Sequence, residues 1–113
     1  MNQEIKQLLD RIYERPGMYL GKPSLNELVT FACGYIDCMS FRDGVIPKSP
    51  FSDSMSSIVL DYYNVKDVDA FCLRNWIDII LFFEHSEKEA FYKFNELLEL
   101  YEKKYSSEEE SDS

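Results

Sequence analysis

The chain has 113 residues, 45% of them apolar, with eight Phe and eight Tyr. That is enough for one packed domain, too little for two, and too apolar for a wholly disordered chain. Net charge is −9, from 21 acidic and 12 basic residues, which disfavours nucleic acid and anionic lipid as partners and favours a cationic one.

The first ten residues, MNQEIKQLLD, lack the basic-then-apolar order of a secretion signal, and the apolar run at 79–83 is far too short to cross a bilayer. A soluble, cytoplasmic protein is expected, with no membrane partner. Over residues 3–15, Ile5, Leu8, Leu9 and Ile12 recur at helical spacing. Pro16 excludes Arg15 from the α region and ends this helix. In RPGMYLG, residues 15–21, Pro16 and Gly17 suit the central positions of a type II turn, with Gly17 at positive φ. Met18, Tyr19 and Leu20 are then expected to enter the core as a structural staple. Ser24 and Glu27 form a capping box for a second helix running to about Ser40, with Leu28, Phe31, Ala32, Tyr35 and Met39 on its inner stripe. Gly34 inside that helix predicts close approach of a neighbouring helix.

Gly44, Pro47 and Pro50 mark residues 41–50 as a loop. Phe51, Met55, Ile58, Val59 and Tyr62 fit a third helix, although SSIVLDYY alone also reads as a strand. Asp67 or Asp69 is placed to cap a fourth helix containing Phe71, Cys72, Trp76, Ile77, Ile80 and Phe83, whose apolar surround predicts the most buried element. After the short turn EHS a fifth helix should return antiparallel, capped by Ser86 and Glu89 and striped by Ala90, Phe91, Phe94, Leu97, Leu98 and Tyr101. The expected fold is all-α: a five-helix domain over 1–105, followed by a disordered acidic tail over 106–113. The tail carries four acids, leaving the domain 17 acids against 12 bases.

Chemistry is sparse in the pattern. Cys33, Cys38 and Cys72 form no CxxC pair and read as buried reduced thiols. His85 is the only histidine, so a zinc site lacks ligands and a Cys-His dyad has no spacing to support it. No catalytic residue, cofactor site or metal site is assigned. RPGMYLG resembles the RPGMYIG segment of the gyrase B and type II topoisomerase ATPase domain. However, Asn26 and Glu27 stand in the wrong order for that family's catalytic pair, and Asp43-Gly44 lacks the second glycine of its adenine motif. ATP binding is therefore not expected.

A broader pattern, RPGMYLGKPSLNELVTFACGYIDC followed by WIDIILFFEHSEKEAFYKFNELLELY, is similar to small acidic bacterial immunity proteins of contact-dependent growth inhibition and related polymorphic toxin systems. The resemblance covers both ends of the domain and is weak over 41–68. It implies an immunity protein that binds and neutralises a toxin domain, the toxin being a basic nuclease. The alternative is a generic helical adaptor binding another basic protein. In the region the resemblance covers least, Asp53, Asp61, Asp67 and Asp78 are candidates to meet cationic side chains, with Tyr62 or Tyr63 as an anchor. Capping is an equal reading for Asp67. Asp61 and Asp78 show no local role in the sequence and are the sharper candidates.

Overall fold

A computed structural model describes residues 1–52, 54–66 and 75–111, with side chains as far as Tyr105. Six helices make up the described chain: α1 (Gln3–Glu14), α2 (Pro16–Leu20), α3 (Leu25–Asp43), α4 (Ser54–Tyr62), α5 (Trp76–Glu84) and α6 (Glu87–Ser111). No strand occurs among the described residues, so SSIVLDYY folds as helix.

The sequence punctuation accounts for most boundaries. Asn2 caps α1, its Oδ1 accepting the Glu4 and Ile5 amides at 2.9 and 3.2 Å. Arg15 lies outside the α region, with φ −141° and ψ 68°, as the following proline favours. The expected type II turn does not form. Pro16 instead sits at the first position of the short helix α2, where its missing N–H costs nothing and its fixed φ suits the helix. Positive φ occurs at Gly21 (+80°), which closes α2, and not at Gly17. Met18 is consequently 72% exposed rather than buried. Tyr19 and Leu20 are half-buried against the core, with the Tyr19 ring edge-on to Phe31.

Ser24 caps α3 by accepting the Glu27 amide at 3.3 Å. This helix runs three residues beyond the expected end and closes at Gly44 in the left-handed region, φ +75°. Two expectations for α3 fail. Phe31 is 37% exposed, and a Cβ at Gly34 would meet nothing within 4 Å, so no neighbouring helix among the described residues explains the glycine. Cys33 and Cys38 are exposed free thiols, not buried ones, because both lie off the stripe formed by Leu25, Leu28, Ala32 and Met39.

The core is organised around α6, not the fourth-helix segment as expected. Ala90, Phe91, Phe94, Leu97, Leu98 and Tyr101 are each at most 7% exposed, whereas α5 leaves Phe82 51% exposed. Named contacts fix the directions. Trp76 stacks on Phe94 with centroids 5.4 Å apart, so α5 returns antiparallel through the single residue His85 and the cap residue Ser86. Lys6 pairs with Glu102 and Tyr13 stacks on Phe91, making α1 antiparallel to α6 as well. Tyr105 donates to the Ser54 carbonyl while Lys93 reaches Tyr62, so α4 is also antiparallel to α6 and therefore parallel to α5. Full burial of a side chain such as Phe94 is worth about 1.5–3 kcal/mol, and α6 contributes several.

The backbone of α6 continues to Ser111, six residues past the end of the domain expected from the pattern. A helix nucleated by packing extends at little cost through residues of fair propensity, so loss of the apolar stripe does not end it at Tyr105. The cap candidates Asp67 and Asp69, together with Phe71 and Cys72, lie outside the described residues.

Candidate partner-binding surface

α4 ends at a Schellman turn. The Val65 amide donates to the Leu60 carbonyl at 2.9 Å and the Asn64 amide to the Asp61 carbonyl at 3.2 Å, with Asn64 left-handed at φ +55°. Asparagine tolerates this conformation, which satisfies the last carbonyls of the helix. The turn fixes Tyr63 so that its ring stacks on Phe83 of α5, centroids 4.6 Å apart and planes 6° apart. Its hydroxyl donates to Glu84 Oε2 at 2.7 Å. Burial, and then the Glu84 carboxylate, push the Tyr63 phenol well above its ordinary range.

Tyr62 packs edge-on to Tyr63, and Phe82 edge-on to Phe83. The outer two rings reach solvent, Tyr62 being 42% and Phe82 51% exposed. Lys93 of α6 lies across Tyr62, its Nζ 5.1 Å from the ring centroid. The same ammonium donates to the Tyr62 hydroxyl and to Glu96 Oε2, each at 2.8 Å. Hydrogen bonds to Glu96 and then to Tyr62 raise its pKa. The surface thus already holds one cation over an aromatic face beside a carboxylate.

The acids are placed against local helix electrostatics. Asp61 is exposed in the last turn of α4, and Glu84 is the last residue of α5. Carboxylates at a helix C-terminus oppose the macrodipole, at about 0.3–1 kcal/mol each. Because α4 and α5 run parallel and meet at Tyr63–Phe83, two negative helix ends and two carboxylates gather at one end of the molecule. The positive start of α6 lies at that end too, and its first turn carries Glu87 and Glu89.

Of the six residues expected from sequence, the structure brings Asp61, Tyr62 and Tyr63 together. Asp78 lies elsewhere, in the first turn of α5, where its amide donates to the Asn75 cap at 3.1 Å. A carboxylate is favoured at that position, so Asp78 does have a local role. Asp53 and Asp67 lie outside the described residues. Glu84, Phe82, Lys93 and Glu96 join the surface without having been singled out. Parallel packing of α4 on α5 brings in Phe82 and Glu84, and antiparallel packing of α4 on α6 brings in Lys93. Only the Lys93–Glu96 pair, three residues apart, has a local spacing.

His85 closes α5 in the left-handed region, φ +67°, its amide donating to the Leu81 carbonyl. Among the described residues there is no group of three metal-binding side chains, and no helix is long and apolar enough to cross a membrane. Comparison of the chain with protein-family models, with curated proteins and with solved structures finds no match.

Proposed function

We propose that the chain is an immunity protein that binds and neutralises the C-terminal toxin domain, a basic nuclease, of a contact-dependent growth inhibition or related system. The carrying observation is the α4–α5 end, where Asp61 and Glu84 oppose their own helix dipoles beside the exposed rings of Tyr62 and Phe82. Glu84 is offset by the Tyr63 hydroxyl it accepts, so Asp61 is the sharper of the two, and an acid that breaks a local rule is where function is expected. A nuclease cleft is cationic because it binds phosphate, and an arginine or lysine from it fits an aromatic face flanked by carboxylates. The net charge of −9 steers such a partner from a distance.

The experiment is growth protection. Cells expressing the cognate toxin domain should survive when they carry this chain. Asp61→Lys combined with Tyr62→Ala should lose protection with helicity intact. Both side chains are substantially exposed, so their replacement leaves the core in place. Full protection by that double variant, with association as fast as wild type, would rule out this surface.

A further inference from the structure

The inner face of α3 buries Leu25, Leu28, Ala32 and Met39. Roughly 130° round the helix, at 100° per residue, runs a second apolar stripe: Phe31, Gly34, Cys38 and Phe41. All four are exposed, Phe41 at 95% and Phe31 at 37%. Just past the Gly44 cap, Val45 and Ile46 are 67% and 83% exposed. Among the described residues nothing covers the stripe at Gly34, where a Cβ would meet nothing within 4 Å.

We propose that this face is the interface of a symmetric homodimer in which α3 pairs antiparallel with α3 of a second copy. The stripe is its own complement. Steps of three, four and three residues make it palindromic about Ile36, so a two-fold axis there sets Phe31 over Phe41 of the second copy and Gly34 over Cys38. Small residues at the centre let the helix backbones approach, and the flanking phenylalanines supply the anchoring area. A self-complementary patch is what a two-fold interface requires. The same register carries Val45 and Ile46 toward α2 of the second copy. There Tyr19 abuts Phe31, and Met18 stands 72% exposed.

The area suffices. A fully exposed phenylalanine offers about 200 Å², so Phe41, Phe31, Val45 and Ile46 together present roughly 500 Å² of side chain. Interfaces are about 57% apolar, which scales that patch to almost 900 Å² per copy, near the roughly 800 Å² of a standard stable interface. From Phe31 to Phe41 the stripe carries no acid, and a self-complementary pattern suits a second copy. Glu27, exposed one turn before Phe31, lies in line with it and opposite Val45 in this register. Asp37, beside it, faces its own counterpart across the two-fold axis. Repulsion between the Asp37 pair and between two chains of charge −9 opposes association, so salt should tighten the dimer.

The test is a dilution series by sedimentation velocity, at low and high salt, up to about 1 mM chain, where even a millimolar Kd registers. The expected mass approaches twice that of one chain, with tighter association at high salt. Phe41→Glu and Gly34→Leu should each weaken dimerisation at least tenfold while circular dichroism and melting show a folded monomer. Asp37→Asn should remove most of the salt dependence. A single-chain mass throughout the series would overturn the proposal, as would a dimer indifferent to both stripe substitutions. A monomer whose Phe41→Glu variant fails to bind the toxin domain would assign the face to that partner and equally overturn it.

Discussion

Glu87, in the first turn of α6, accepts the Ser24 hydroxyl at 3.0 Å, and Ser24 is the N-cap of α3. The same carboxylate accepts the Asn26 amide at 3.1 Å and the Asn26 side-chain N–H. One charge therefore serves the starts of two helices 63 residues apart in sequence. Burial pushes this carboxyl up, but the hydrogen bonds from Asn26 and Ser24 outweigh it and hold the pKa below the ordinary glutamate value.

That depression has a sign. The folded carboxyl titrates below its unfolded value of about 4.3, so its contribution is complete above that pH and lost as pH falls through the folded value. Glu87→Gln should cost about 1–2 kcal/mol at neutral pH, toward the low end for hydrogen bonds to a charged group because the carboxylate is partly exposed. It should also flatten the stability profile in acid, as read by urea titrations at several pH values. Combined with Ser24→Ala it should be less than additive.

At the RPGMYLG segment, Gly21 requires positive φ and Gly17 does not. Both positions are open to a Cβ, so only the backbone distinguishes them. Gly21→Val should lower stability by about 1–3 kcal/mol, whereas Gly17→Ala, inside a helix, should be neutral or slightly stabilising. Thermal unfolding of the two variants would expose an error if Gly17→Ala proved the more damaging.

Phe94 is fully buried between Trp76 and Phe51. Truncation to alanine should cost about 3–5 kcal/mol, and loss of Phe82, at the surface, much less. Comparable losses at the two positions in denaturant titrations would contradict α6 as the organising helix.

Much of this fold was legible because it is encoded locally. The Asn75 cap went unnoticed, but Ser24, Ser86, Pro16 and the α6 stripe each signal a boundary or a face within a few residues. α2 is not legible in the sequence because Pro-Gly reads as a turn and five residues are too few to display a period. Which of α3's two apolar faces meets the core is not a property of the helix, so the pattern alone places Phe31 inward. The pairing of Tyr63 with Phe83 and Glu84 depends on α4 running parallel to α5 across a connection of more than a dozen residues. Spacing rules carry no information at that range, so Asp61, Tyr62 and Tyr63 were found as neighbours in sequence and Glu84 was not.

The last eight residues carry four acids and no apolar side chain. Deleting residues 106–113 should change unfolding stability by less than about 0.5 kcal/mol, the range for changes away from packed features. Binding to a partner at the α4–α5 end should survive, because α6 runs away from that end. A truncated chain that melts early would show that the tail supports the fold.

The central claim is neutralisation by direct binding, and calorimetric titration of this chain into an inactivated cognate toxin domain tests it most directly. Saturable binding with a Kd of about 1 nM or tighter is predicted, weakened at least tenfold by Asp61→Lys with Tyr62→Ala and weakened also by added salt. No binding at micromolar concentrations of the two folded proteins would contradict it.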